Sequence, residues 1–150
     1  MTTVEIGPWT VEADATATKR CYAQLGDDFS EGCTCDPCKN FAIVRGQAYP
    51  PEIVVLFHQL GIDRWKPFEL SHYSRMPSGL HLYGGWHYLC GSIKSGPKSP
   101  NGTNPYQINA TFAIELTQTD QARQPFSEFP CVQVDFYTEL PWISDLPEAD

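Results

Sequence analysis

Three cysteines, Cys33, Cys35 and Cys38, lie within six positions of the chain in the pattern C-x-C-x-x-C. Thiols so close in sequence can converge on one metal ion from a single turn of backbone, at Zn–S distances of about 2.3 Å. A tetrahedral site needs a fourth ligand, and Cys21 is the nearest candidate, ahead of the remaining cysteines and the histidines. The pattern therefore predicts a structural zinc site formed by Cys21, Cys33, Cys35 and Cys38, with no coordination position left for a catalytic water.

The second half of this loop, Cys35-Asp36-Pro37-Cys38-Lys39, resembles the active-site pattern of the thioredoxin family. In such a motif the first thiolate is stabilised at the N-terminus of a helix. The resemblance implies a thiol–disulfide oxidoreductase with Cys35 as the attacking thiolate and Cys38 as the resolving one. A third interpretation is that the three thiols are ordinary loop residues that share no role.

The chain has 150 residues, the length of one domain, and we expect a single domain over residues 1–150. A domain of this size buries about 68–70% of the surface that its unfolded chain exposes, so its core can support folding without a metal. We therefore expect zinc to organise its own loop rather than to supply the stability of the whole domain.

Eighteen acidic against ten basic side chains give the chain a net charge of -8. Such a charge repels nucleic-acid phosphates and anionic lipid surfaces, so we expect neither as a partner. The first residues have neither the basic nor the apolar region of a signal peptide, and the longest aliphatic run, residues 53–57, is too short to span a bilayer. We expect a cytoplasmic protein with reduced thiols.

Alternation of apolar and polar residues predicts strands, and apolar residues at i, i+3, i+4 and i+7 predict a helix. Strands are predicted at residues 3–6, 9–13, 16–23, 68–73, 108–117 and 132–137, and the last two are expected to pair antiparallel. Helices are predicted directly after the cysteine loop and at residues 50–60, where Gly61 follows as a cap. This order indicates an α+β fold with a mainly antiparallel sheet of about five or six strands and two helices packed on one face.

Residues 80–91 form the second most informative stretch, because Gly84-Gly85 separates two alternating aromatic runs. A Gly-Gly pair at this place predicts a two-residue hairpin turn, which would put His81, Tyr83, Trp86 and Tyr88 on one face. If the glycines instead form a kink within one long strand, Trp86 and Tyr88 face away from His81 and Tyr83. Aromatic rings with polar tips suit a ligand-binding surface, and a core layer is the alternative interpretation.

These observations favour a binding or interaction module with structural zinc, whose partner is a protein or a small molecule. The first alternative is the thiol–disulfide oxidoreductase. A zinc hydrolase built from two or three of the cysteines with His81 or His87 is a further alternative, although the chain has no H-E-x-x-H motif. The small size and acidic charge also suit an inhibitor of the immunity-protein or antitoxin type. No catalytic residue is assigned from the sequence.

Overall fold

The computed structural model describes residues 1–27, 33–98 and 105–150, and these residues form one antiparallel sheet with three helices. The strands are β1 (Thr2–Ile6), β2 (Trp9–Ala13), β3 (Glu69–Arg75), β4 (His81–Ser95), β5 (Tyr106–Asn109), β6 (Phe112–Thr119) and β7 (Cys131–Leu140). The helices are α1 (Ala15–Ala23), α2 (Asp36–Val44) and α3 (Pro51–Leu60), and short 3-10 turns lie at Arg45–Gln47 and Phe126–Glu128.

The sheet has the strand order β1-β2-β4-β7-β6-β5, and β3 pairs with β4 beside this path. Every pairing is antiparallel. The predicted α+β class is confirmed, with seven strands and three helices in the described residues where about five or six and two were expected. The predicted antiparallel pairing of the last two long strands is also confirmed, since β6 and β7 pair along their length.

Strand β4 is the longest in the sheet, and it runs for 15 residues through Gly84 and Gly85 without a turn. The hairpin prediction for these glycines is wrong, and the alternative of one long strand is the arrangement found. Residues 81–90 pair in unbroken register with β7, while β3 pairs with residues 81–86 on the other edge. A methyl group on Gly85 would overlap the backbone carbonyl oxygen of Glu69, so glycine is needed here for the close approach of β3.

Residues 16–23, predicted as a strand, form helix α1 instead. The Asp14 side chain caps this helix by accepting a hydrogen bond from the backbone N–H of Ala17 at 2.9 Å. The helix lies where β4 lacks a neighbouring strand, between the end of its pairing with β3 at Trp86 and the start of its pairing with β2 at Gly91.

Side chains of α1 satisfy the backbone groups of β4 in this gap. The Tyr22 hydroxyl donates to the carbonyl oxygen of Tyr88 at 2.8 Å and accepts from the N–H of the same residue at 2.9 Å. The Thr18 hydroxyl accepts from the N–H of Cys90 at 3.0 Å. Unpaired buried backbone groups are costly, so these contacts explain why the segment is helical despite its β-branched residues.

The predicted strand at residues 108–117 is divided between two strands. Ala110 and Thr111 form a tight turn between β5 and β6, in which Asn109 Oδ1 accepts from the N–H of Thr111 at 2.9 Å. The alternation of apolar residues continues through this turn, which is why the pattern alone predicted a single strand.

The two predicted helices are confirmed and pack on the sheet face that carries Tyr83 and His87 of β4. The ring of Phe41 in α2 lies 5.3 Å from that of Tyr83, and the ring of Phe57 in α3 lies 5.2 Å from that of His87. Helix α3 ends at Gly61, which adopts the left-handed conformation of a C-terminal cap with φ of 76°. Within the described part of the chain, none of the helices has the length and apolar character needed to cross a membrane.

Candidate metal centre

The thiol sulfurs of Cys33, Cys35 and Cys38 all lie within 4.8 Å of one another. The Sγ atoms of Cys33 and Cys35 are 3.0 Å apart. Tetrahedral coordination at a Zn–S distance of about 2.3 Å places the sulfurs of a site about 3.8 Å apart. The three thiols therefore need only small rotations about their side-chain bonds to hold one metal ion.

Local structure positions these thiols at the start of α2. Cys35 is the N-terminal cap residue in an extended conformation, Pro37 occupies the first turn, and the N–H of Lys39 donates to the carbonyl oxygen of Cys35 at 3.0 Å. Proline suits this position because its missing N–H would have no partner there. The partial positive charge of a helix N-terminus stabilises thiolates and the metal complexes that they form.

Hydrogen bonds among the three thiols shift the pKa values of Cys33 and Cys38 in opposite directions. Hydrogen bonds from the Cys35 and Cys38 thiols lower the pKa of Cys33. Burial raises the pKa of Cys38, and the hydrogen bonds that this thiol makes with Cys33 and Cys35 raise it further. Of these two thiols, Cys33 therefore ionises more easily than Cys38, and binding of a metal ion, which requires thiolates, would release thiol protons.

Cys21, the expected fourth ligand, is not brought to this cluster by the structure. It is buried, its thiol contacts the carbonyl oxygen of Pro125 at 3.8 Å, and burial and the neighbouring Cys90 raise its pKa to about 12. Cys90 and Cys131 face each other across β4 and β7 and are also buried. The six cysteines therefore form an accessible set in the loop and a separate set within the core.

The four β4 residues proposed to bind a ligand do not line one surface. His81, Tyr83 and Tyr88 are buried, and Trp86 is half-buried on the face opposite to Tyr83. The Trp86 indole N–H is buried and has no hydrogen-bond partner among the described residues. The arrangement found follows from the single long strand, which alternates these side chains between the two faces of the sheet.

Tyr83 is hydrogen-bonded to two residues at the start of α2, next to the thiols. Its hydroxyl donates to the carbonyl oxygen of Pro37 at 2.9 Å and accepts from the side-chain amide of Asn40 at 3.2 Å. The same Asn40 side chain, on α2, accepts from the N–H groups of Ile143 and Ser144 at 2.9 and 3.1 Å. The start of α2 is therefore fixed by buried hydrogen bonds to β4 and to the C-terminal segment.

His81 belongs to a hydrogen-bonded chain of three side chains. Its Nε2 lies 2.8 Å from Oε1 of Glu148, and its Nδ1 lies 2.9 Å from Nε2 of His72. The Trp142 ring lies 5.0 Å from the His81 ring and covers it. With Glu148 ionised, the Nε2–H of His81 donates to Glu148, and a hydrogen bond between Nδ1 of His81 and Nε2 of His72 completes the chain, which ties the C-terminal segment to the sheet.

A cavity of about 480 Å³ lies beside the thiols and includes Cys33 and Cys38 in its wall. Its other polar lining comes from Lys39, Arg45, Arg64 and Arg123, together with Glu69 and the indole of Trp65. These residues come from separate loops and element ends, so no spacing along the sequence singles them out. Only their common location in the folded chain identifies them as one surface.

No model of a known protein family, no curated protein and no solved structure matches this chain. The thiol loop and the cavity beside it are the features of this structure that indicate a function.

Proposed function

We propose that the protein is a zinc-binding protein, in which Cys33, Cys35 and Cys38 hold about one Zn²⁺ per chain at the wall of a ligand-binding cavity. The observation that carries this proposal is the convergence of three thiol sulfurs within 4.8 Å of one another. Among the described residues, no other cysteine, histidine or carboxylate belongs to this group.

Thiolates are soft ligands that select Zn²⁺ over the hard cations Mg²⁺ and Ca²⁺, which prefer oxygen. Three thiolates occupy three of the four positions of a tetrahedral zinc ion. The fourth position is then filled by an oxygen or nitrogen ligand such as water. The complex of three thiolates with Zn²⁺ carries one net negative charge, which the N-terminus of α2 and the nearby Lys39 help to balance.

The hydrogen bonds that Tyr83 makes at the start of α2 favour metal binding, because they order the thiol loop before a metal binds. Tyr83 and Asn40 hold the backbone at Pro37, between the second and third thiols, whether or not a metal is present. Less conformational entropy is then lost when the thiols close around an ion. Since the metal is held at the surface of a cavity, we infer that the protein acts as a binding module.

The proposal is tested by the metal content of pure, untagged protein prepared with zinc, measured beside that of two variants. We expect about one zinc per chain in the wild type and less than about one tenth of that in Cys38→Ser, because two thiolates bind zinc far more weakly than three. Cys21→Ala is the matched control and should retain zinc, since Cys21 lies with Cys90 in the core. A wild-type protein without zinc, or a Cys21→Ala protein that loses it, would contradict the proposal.

The sulfurs of Cys35 and Cys38 lie within 4.8 Å of each other at the N-terminus of α2, which favours thiol–disulfide exchange as a second candidate function. In this reaction Cys35 attacks a substrate disulfide and Cys38 resolves the mixed disulfide. The two protein thiols form a disulfide bond, and their two electrons and two protons convert the substrate disulfide to two thiols. A metal-free protein that reduces insulin disulfides, and a Cys35→Ser variant that does not, would support this candidate instead.

A further inference from the structure

The cavity beside the thiols is lined by apolar side chains and by several cations. Its volume is about 480 Å³, and Phe41, Phe68 and Leu70 contribute its apolar lining. A pocket of this size accommodates a small organic molecule, for which burial of apolar surface supplies affinity and a few polar groups set the orientation.

The charge of the cavity is opposite to that of the chain. Four of the ten basic residues line it, against one of the eighteen acidic residues, among the described residues. The one acidic residue, Glu69, is paired with Arg123 at 3.2 Å. A protein with net charge -8 thus concentrates positive charge at this place, which attracts anions.

Two of these cations share one aromatic ring. The guanidinium carbons of Arg45 and Arg64 lie 5.0 and 4.4 Å from the centre of the Trp65 indole. Within the described residues, neither guanidinium has a carboxylate within 4.0 Å. Stacking fixes the plane of a guanidinium and leaves the N–H groups along its edge to bind a planar carboxylate through two hydrogen bonds.

The buried hydroxyl of Tyr49 lies in the same wall. The Tyr49 oxygen is buried and makes no hydrogen bond with any described residue, although Tyr49 lines the cavity. The Tyr49 ring lies 5.9 Å from the His87 ring, and the Nε2–H of His87 donates to the backbone carbonyl oxygen of Arg64, so Tyr49 and Arg64 lie close together in the fold. A hydroxyl without a partner is costly, and a ligand oxygen beside Arg64 would accept its hydrogen bond.

We propose that this cavity binds a small organic carboxylate with a flat apolar body. The carboxylate pairs with Arg45 and Arg64 and accepts from the Tyr49 hydroxyl, while the apolar body lies against Phe41 and Phe68. The inference does not rest on the zinc site, because none of these five residues is a proposed metal ligand.

Calorimetric titration of wild-type protein with 2-naphthoate, and separately with its neutral analogue 2-naphthamide, tests the proposal. We expect naphthoate to bind at least about tenfold more tightly than naphthamide, because the charge-assisted hydrogen bonds to arginine require the carboxylate. Equal affinities, or no measurable binding of naphthoate, would overturn the proposal. This comparison uses one protein, so it does not depend on the folding of any variant.

Single substitutions test whether the two arginines and the Tyr49 hydroxyl bind the ligand. Arg45→Gln and Arg64→Gln should each weaken naphthoate binding by about tenfold, and Tyr49→Phe by a smaller factor. Arg20→Gln, which removes an exposed arginine of α1 outside this cavity, should leave the affinity unchanged within about twofold. Retained affinity in both arginine variants, or displacement of naphthoate by an equal concentration of inorganic phosphate, would overturn the proposed ligand class.

Discussion

His87 is buried among aromatic side chains. Its ring is fully buried and is surrounded by the rings of Tyr49, Phe57 and Phe136. Its Nε2–H donates to the carbonyl oxygen of Arg64 at 3.3 Å, and its Nδ1 has no partner among the described residues. Burial lowers the pKa of His87 to about 3, although the hydrogen bond to Arg64 partly opposes this effect.

This histidine makes the protein sensitive to acid. Its pKa is about 6.5 in the unfolded chain and about 3 in the fold, so between these values the unfolded state binds the additional proton. The stabilising effect of a neutral His87 is complete above pH 6.5 and is lost at about 1.4 kcal/mol per pH unit as the pH falls toward 3.

We therefore predict that His87→Met reduces the fall in unfolding free energy between pH 7 and pH 4.5, measured by urea denaturation at each pH. Methionine has no titratable group and fills a similar volume. His58→Gln is the control, because His58 is exposed on α3 and its replacement should leave the wild-type pH dependence in place. A His87→Met protein with the same pH dependence as the wild type would contradict this explanation.

At the scale of the elements, the sequence predicted those whose signals are local. Helix α3 has apolar residues on one face and a glycine at its end, and both signals lie within the element itself. Proline in the first turn marked α2 in the same way. These two helices and the strands β1 and β2 agree with expectation for that reason.

Elements that depend on distant contacts were not predicted. Residues 16–23 carry β-branched side chains that suggest a strand, but Tyr22 and Thr18 complete the hydrogen bonds of β4 only from a helix. Gly84-Gly85 is typical of a turn, but in the structure the missing side chains leave room for β3 to pack closely and for the ring of Tyr73. In both places the deciding partner lies far away in the sequence.

The long β4 strand leads to a prediction about Gly85. Alanine at this position would place a methyl group against the backbone carbonyl of Glu69, which cannot move without breaking the pairing of β3 with β4. We expect Gly85→Ala to lower the free energy of unfolding by about 1–3 kcal/mol or more, as measured by urea denaturation.

Gly46→Ala is the matched control for this prediction. Gly46 lies in a short 3-10 turn and has nothing within 4 Å of the position of an added methyl group. Its replacement should change the free energy of unfolding by less than about 0.5 kcal/mol. Equal stabilities of the two alanine variants would show that β3 does not approach β4 as closely as described.

At the scale of the whole molecule, the candidate site was only partly visible in the sequence. Cys33, Cys35 and Cys38 are neighbours in the chain, so their convergence could be expected before the fold was known. The place of Cys21 could not, since it depends on how α1 packs against β4. The arginines of the cavity were missed because they come from separate segments that only the fold brings together.

The position of the thiols at the surface predicts how the molecule responds to metal removal. The buried core does not include the loop thiols, so a chelator should leave the far-ultraviolet circular dichroism spectrum at 25 °C unchanged. With free zinc about 100-fold above its dissociation constant, the metal adds about 2.7 kcal/mol, and its removal should lower the melting temperature by roughly 5–10 °C. Cys38→Ser should show no such shift, and loss of the folded spectrum on chelation would contradict a local role.

The central claim is that three thiolates of one loop hold the metal, and zinc K-edge X-ray absorption of the zinc-loaded wild type tests it most directly. We expect a first shell of three sulfurs at about 2.3 Å and one nitrogen or oxygen. A shell of nitrogen and oxygen alone would contradict the claim, and a shell of four sulfurs would require a thiol outside the loop.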